Sequence, residues 1–298
     1  MGIDFLICNY NGGALLKKCV NSIVALNLDN YHIYVYDNAS TDNSINELKK
    51  VNNDSNLTIV LDKDNIGYGK AINKLYALSK KEFIFILNPD AELTFNVTEL
   101  LDLIHESPNN KIFGFNIFNN DGTIQNFIAS EPSFKWIIGG LLRSGFPFLM
   151  NPFYKFYFKI MKTENKQKKT SSFVSGCALL MSRKIFDKIG KFNEQYFLYF
   201  EDTELLYTSN KIGYEIVRSN LGVKHNASYS FKKASNTIKV EKFRSALIYF
   251  RNIKGYLSFV MLKFILFSLA ILCLLNPLNL FNRNTNDYYM KLIQISLQ

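Results

Sequence analysis

Short apolar runs rich in β-branched and aromatic residues recur along the first half of the chain, separated by stretches of helical periodicity. The runs predict strands near 3–9, 32–37, 57–61, 82–88 and 111–118. The intervals predict helices near 14–26, 42–51, 69–79 and 97–106. Alternation of this kind implies an α/β fold, a mostly parallel sheet flanked by helices on both faces. Asn119-Asn120-Asp121-Gly122 is a hairpin signal. From about 130 to 170 the pattern breaks into aromatic and basic residues, including Trp136, Phe146, Phe148 and Tyr154–Phe158. A long functional loop or a pair of short helices is expected there. Order returns with a strand near 172–181, a helix from Arg183 to Ile189 ended by Gly190, and a helix from Glu201 to Lys211 that stops at Gly213. Tyr214–Arg218 is strand-like and precedes His225.

The last sixty or so residues read differently. A basic helix near 238–254 leads into Tyr256–Leu275, an apolar run about as long as a bilayer is thick. Lys263 near its middle is outweighed by the surrounding apolar residues on insertion scales. Crossing a membrane, lying in its surface and packing as a core helix are all compatible with this pattern.

Composition narrows the partners. With 298 residues, a formal charge of +10 and a pI near 9.2, the chain is large enough for a sizeable core and basic enough to seek an acidic partner. No zinc-finger spacing or RNP-like aromatic signature is present, so no nucleic-acid partner is expected. Lysines cluster at Lys162–Lys169 and Lys232–Lys254, the second just before the apolar run, which favours a membrane surface. Cys8, Cys19, Cys177 and Cys273 lie far apart with no C-x-x-C pair, as suits reduced, buried thiols in a cytosolic compartment. The chain enters a strand at once, without a basic n-region or cleavage signal, so no secretory peptide is expected.

The candidate chemistry gathers at strand ends. Phe83–Leu87 is stopped by Asn88-Pro89-Asp90, which places Asp90 at the carboxyl end of a buried strand, the edge where open α/β sheets bind ligands. Asp37 ends the second strand on the same edge, ahead of Asn38-Ala39-Ser40-Thr41-Asp42, and a carboxylate there can accept hydrogen bonds from a nucleobase or ribose. Asn65-Ile66-Gly67-Tyr68-Gly69, with Asn73 beyond it, is a glycine-containing turn into a helix. Ser175-Gly176 puts small residues where a ligand or helix can approach closely. Phe200-Glu201-Asp202 sets two acids at a helix start, where the dipole favours the ionised state a general base needs. His225 is either a structural imidazole or a group that completes a metal shell.

In this order the motifs resemble family 2 glycosyltransferases of the GT-A fold, especially a bacterial rhamnosyltransferase-like branch. The matching elements are Cys8-Asn9-Tyr10-Asn11, Asp37–Asp42, Asn65–Gly69 with Asn73, Leu87–Asp90, Ser175-Gly176 and Phe200–Asp202, spanning residues 3 to about 230. The resemblance implies a Rossmann-like GT-A domain at 1–235, divided into a nucleotide-sugar-binding half (1–120) and an acceptor and catalytic half (121–235). Residues 236–298 would form a basic, hydrophobic, membrane-associating helical appendage. It implies nucleotide-sugar contacts from Asn9, Tyr10, Asn11, Asp37, Asn65, Gly67, Asn73 and Asn88, with Mg²⁺ or Mn²⁺ held by Asp90 and His225. Asp202 would be the general base, with Glu201 supporting it or touching the acceptor. Asn88 stands where many relatives carry the first Asp of a D-x-D motif, and Glu204 replaces a second Asp whose role is thereby open.

The implied activity is inverting, metal-dependent transfer from a dTDP-, UDP- or GDP-linked sugar, with L-rhamnose favoured. The implied acceptor is a polyprenyl-diphosphate-linked surface-polysaccharide saccharide at the inner face of a bacterial cell membrane. A sugar-1-phosphate nucleotidyltransferase would need a Gly-rich, basic loop after the first strand, for which Asn11-Gly12-Gly13 with Lys17-Lys18 is a poor substitute. An inactive membrane-attached scaffold is the non-enzymatic alternative.

Overall fold

The computed structural model describes residues 1–50, 55–105, 110–125, 131–146, 173–226, 236–276 and 282–298. Phe148, Tyr154–Phe158, Lys162–Lys169 and the start of the second lysine cluster lie outside these residues. Contacts divide the chain into two units. One comprises Met1–Ala129, Lys169–Phe197 and Glu201–Ser230, and the other Ser130–Lys168, Leu198–Phe200 and Phe231–Gln298. The sequence division at 235 thus differs from the contact grouping, which counts Ser130–Lys168 with the C-terminal helices.

The first unit is built on an eight-stranded mixed sheet in the order β3-β2-β1-β4-β7-β6-β8-β5. Its strands are β1 Ile3–Asn9, β2 Tyr31–Asp37, β3 Leu57–Leu61, β4 Phe83–Leu87, β5 Ala91–Leu93, β6 Lys111–Phe118, β7 Ala178–Ser182 and β8 Glu215–His225. β7 runs antiparallel to both β4 and β6, and β5 antiparallel to β8, while the other six strands share one direction. Helices α1 Ala14–Val24, α2 Ser44–Lys49, α3 Tyr68–Leu78, α4 Val97–His105, α6 Arg183–Ile189 and α7 Glu201–Lys211 belong to this unit; α5, Phe134–Gly145, belongs to the second.

Buried runs give central strands because both faces are covered by helices. β1, β4 and β7 are buried throughout. Phe5, Phe85, Phe115 and Phe95 stack in series on one face of the sheet, with centroids 5.4, 4.9 and 5.6 Å apart. The opposite face is filled by Leu6, Ile84, Ile86, Leu179, Met181, Ile72, Leu75 and Phe186. Asp4, fully buried in β1, is tolerated because its Oδ2 accepts the backbone N–H groups of Lys80 and Lys81, each at 2.7 Å.

The strand expected at 172–181 is shorter than its apolar run. Phe173–Cys177 forms a bend, and pairing begins at Ala178, opposite Leu87. β8, conversely, extends past Arg218 to His225 because β6 pairs with it across an irregularity at Gly114 and Asn116. The Asn119–Gly122 signal makes a turn closed by Asn119 N–H to Thr123 O (2.8 Å), after which Ile124 bridges back to Phe118.

In the second unit, α8 (Asn236–Tyr249) runs into a π-helical turn, Phe250–Lys254, followed by α9 (Tyr256–Leu274) and α10 (Arg283–Leu297). Phe134 of α5 meets Phe250 edge to face at 4.8 Å, and Glu131 pairs with Lys254. α9 is apolar around its whole circumference, yet only the stripe Leu262, Leu266, Ala270 and Cys273 is fully buried. Leu257, Val260, Met261, Phe264, Leu272 and Leu275 form an exposed stripe on the opposite side.

Candidate active site

The turns that follow β1 and β2 are fastened together through Asn9 and Asn11. Asn9 and Asp37 are register partners at the ends of their strands. The fully buried Asn9 amide donates to Asp37 Oδ1 (2.8 Å), Ser40 Oγ (3.0 Å) and Ser44 Oγ (3.0 Å), and Asp37 Oδ2 accepts the Ser40 N–H at 3.2 Å. Asn11 adopts a left-handed conformation (φ 53°), and its Oδ1 accepts from Thr41 N (2.8 Å) and Asp42 N (3.2 Å). Gly13 N–H donates to Asp42 Oδ2 at 2.8 Å. The loop after β1 therefore turns its donors toward the β2 loop, which is not a phosphate cradle. Tyr10, 47% exposed, presents an open ring at the rim.

The glycine turn is fixed by backbone approach. Asn65 Oδ1 accepts the Gly67 N–H at 3.1 Å, and Asn38 spans to the same turn by accepting Ile66 N–H at 2.8 Å and donating to Gly67 O at 3.3 Å. Gly67 has φ +92°, and a Cβ there would stand 2.6 Å from Phe197 O, so no other residue fits without strain. Asn73 is occupied differently from the expected nucleotide contact. Its amide clamps the Phe192 backbone from both sides (2.9 and 3.1 Å) and reaches Glu194 at 3.1 Å.

The Asn88-Pro89-Asp90 turn closes with Ala91 N–H to Asn88 O at 3.1 Å, and Asn88 N–H donates to Cys177 O at 2.9 Å. Asp90, 7% exposed, lies 3.2 Å from His225 Nε2 through its Oδ1. The backbone enforces that meeting, since Ala91 and His225 are register partners and Asn226 N–H donates to Asp90 O. The structure thus brings together the two residues expected to hold a metal. Among the described residues no three His, Cys, Asp or Glu side chains converge, so the protein offers a two-member donor set here.

One residue before Cys177, Gly176 abuts Asp202: a Cβ on Gly176 would overlap Asp202 Oδ2 at 2.1 Å. Its N–H, the Thr203 N–H (2.7 Å) and the Thr203 hydroxyl (3.2 Å) all donate to Asp202. Residues 176 and 177 therefore bridge the Asn88–Asp90 corner to the acids of α7. Tyr199 and Phe200, both left-handed (φ 70° and 68°), kink the chain immediately before those acids.

Electrostatics divides the two acids. Burial, with the Asp202 charge adding to it, pushes Glu201 up to about 8, and its Oε2 has no partner. Burial raises Asp202 as well, and the Thr203 and Gly176 donors oppose that rise without cancelling it. Of the two, Asp202 is the acid whose ionised form is met by hydrogen-bond donors, whereas Glu201 Oε2 meets none among the described residues. The thiols report the same clustering. Cys8 is pushed up to about 12 by burial, then by Glu201 and Asp37. Cys177 rises to about 12 through burial, with Asp90 and Asp202 adding to it. Asp37, Asp90, Glu201 and Asp202 therefore face one region at the carboxyl ends of β1, β2 and β4.

Three buried polar atoms line this region without a partner among the described residues: Asn9 Oδ1, the Tyr68 hydroxyl and Glu201 Oε2. Such groups suit a hydroxyl-rich ligand. Beside the corner, a small cleft is lined by Phe115, Ile117, Phe173, Val174, Ser175, Gln125 and Arg218. Arg218 donates through Nε to Asn116 at 3.1 Å. Glu204, whose role was open, holds the loop ahead of the acids by accepting from Asn193 (2.8 Å) and the Tyr196 hydroxyl. Sequence reasoning missed Tyr68, Arg218 and Gln125. Only Tyr68 carried a local signal, standing between the two glycines of its turn.

Known proteins share the sequence and the fold of this chain. The chain is 24% identical over 222 residues to an N-acetylglucosaminyl-diphospho-decaprenol L-rhamnosyltransferase of Mycobacterium tuberculosis, covering 69% of each chain. It is 23% identical over 213 residues to Agl10, a low-salt glycan biosynthesis hexosyltransferase of Haloferax volcanii, covering 70% of this chain and 62% of that one. In fold it is similar to the mannosyltransferase PcManGT of Pyrobaculum calidifontis, solved with GDP-Man and Mn²⁺, with a TM-score of 0.55 at 12% identity over 99% of this chain and 86% of that one. The sheet and helices are those of a GT-A glycosyltransferase. The profile of glycosyl transferase family 2 matches residues 4–190, and the chain belongs to that family.

Proposed function

We propose that this glycosyltransferase moves a sugar, with L-rhamnose favoured, from a nucleoside diphosphate to a polyprenyl-diphosphate-linked saccharide by a single inverting displacement. The observation that carries this reading is the position of Asp202, which accepts from Thr203 beside the buried Glu201 and abuts Gly176, so that residues 176–177 join it to the Asn88–Asp90 corner. Asp37 would accept from the nucleobase or ribose, and Tyr10 would offer its ring face to the base. The unpartnered Tyr68 hydroxyl and Glu201 Oε2 would meet sugar hydroxyls.

In the transfer, the acceptor oxygen forms a bond to C1 as the bond from C1 to the diphosphate oxygen breaks. The acceptor proton passes to Asp202, and the departing nucleoside diphosphate keeps the electron pair. Attack from the face opposite the leaving group inverts C1. A covalent, retaining route would need a second ionised carboxylate as nucleophile, and Glu201 holds its proton in the neutral range.

Asp90 and His225 combine a hard oxygen and an imidazole nitrogen, a donor set that fits Mn²⁺ or Mg²⁺ when phosphate oxygens and water complete the shell. Bound there, the cation would neutralise charge building on the leaving diphosphate. The exposed apolar stripe of α9, with Arg251 just ahead of the helix and Lys263 within it, supports contact with an anionic membrane surface. The buried opposite stripe of α9 favours in-plane seating over crossing. A lipid-linked acceptor and four free cysteines are consistent with the cytoplasmic leaflet.

A thermal-shift panel of UDP-, dTDP- and GDP-sugars with and without Mn²⁺ tests the reading. One donor at about 100 times its Kd should add about 2.7 kcal/mol of stability, and only when the metal is present. A panel in which no nucleotide sugar raises the melting temperature, with or without Mn²⁺, contradicts it.

A further inference from the structure

We propose that Gln125 is a positioning residue for the metal corner, holding His225 as the Nδ1–H tautomer so that the Nε2 lone pair faces Asp90 and the cation. This rests on the metal reading given above. Gln125 reaches the site through the hairpin. After the Asn119–Gly122 turn, Gln125 N–H donates to Ile117 O at 2.8 Å, which sets its side chain beside the end of β8.

The amide is oriented without ambiguity. Its Nε2 stands 2.6 Å from His225 O, and a carbonyl oxygen only accepts, so that atom must be the NH₂ group. The remaining amide atom, Oε1, is therefore the one 3.2 Å from His225 Nδ1, and it too only accepts. Nδ1 must then carry a hydrogen, which in a neutral imidazole leaves Nε2 bare. That bare nitrogen lies 3.2 Å from Asp90 Oδ1. At this distance the two lone pairs repel each other unless a proton or a metal cation lies between them, and a bound cation would take the place that a proton otherwise holds. The arrangement presents a preformed pair of ligands, with the tautomer set by a side chain that never touches the metal.

The test uses the full chain and Mn²⁺ as the probe, with free Mn²⁺ read by its electron paramagnetic resonance signal. Gln125→Leu should weaken Mn²⁺ binding by roughly 10- to 100-fold, the usual cost of losing such an outer partner. Gln125→Glu, which keeps an acceptor opposite Nδ1 but gives up the donor to His225 O, should lose clearly less Mn²⁺ affinity than Gln125→Leu. The ¹⁵N spectrum of wild-type His225 should show a protonated Nδ1 and a bare Nε2. Unchanged Mn²⁺ affinity in a folded Gln125→Leu protein, equal losses in both variants, or an Nε2–H tautomer in the wild type overturns the assignment. His225→Ala separates the two levels. If that variant binds Mn²⁺ as the wild type does, the metal reading itself fails, whereas the spectrum judges the tautomer independently.

Discussion

Asp202→Asn should lower kcat by about 10³-fold while leaving the donor Kd within about two-fold of wild type. Asn is nearly isosteric and can still accept the Thr203 N–H, so the turn at the start of α7 should persist. What disappears is the ionised oxygen that takes the acceptor proton. The loss should fall on kcat, because the donor is assigned to Asp37, Asp90 and His225. Glu201 is a poor substitute: with the Asp202 charge gone one of its raising influences disappears, but burial still disfavours its ionised form. Single-turnover transfer measured beside donor titration separates the two quantities. Full transfer by the variant would remove Asp202 from the base role.

The largest effect on stability is expected from Glu201→Gln, and it is an effect on slope. The folded-state pKa of Glu201 is raised from 4.5 to about 8. A raised folded pKa makes a contribution that is fully present below the unfolded pKa and is lost as pH rises through the folded one. Between about pH 4.5 and 8 the unfolded chain releases the Glu201 proton while the folded chain keeps it, so stability falls by up to about 1.4 kcal/mol per pH unit from this group. Glu201→Gln cannot titrate and should lose that component. An unpartnered NH₂ in the variant would shift the curve vertically by roughly 1–3 kcal/mol without restoring the slope. Urea unfolding of both proteins from pH 5 to 8.5 reads the difference. Parallel curves would show that Glu201 is not held protonated.

The fold was legible where one physical demand dominates a segment. Phe83–Leu87 and Ile3–Asn9 are buried on both faces, so their composition alone marks them as central strands. β5 escaped notice because three residues carry no periodicity, and β8 was cut short because Arg218–Gly222 alternates irregularly along a strand that stays paired. α10 went unread because its polar residues interrupt the apolar pattern, and its buried face is defined only by tertiary packing. Within the candidate site, strand-end carboxylates were visible because a Pro or a capping run follows them. Asn73 and Glu204 were harder, since an amide or carboxylate that fastens a loop looks like one that binds a ligand until its partners are seen. Gln125 had no local signal at all, because its task arises from the register of a hairpin against a strand a hundred residues away.

The stereochemistry of transfer tests the single-displacement mechanism most directly. Proton NMR of the product formed from whichever donor the panel selects reports the configuration at C1. A single displacement driven by Asp202 predicts an anomer inverted relative to the donor. A product that retains the donor's configuration contradicts it.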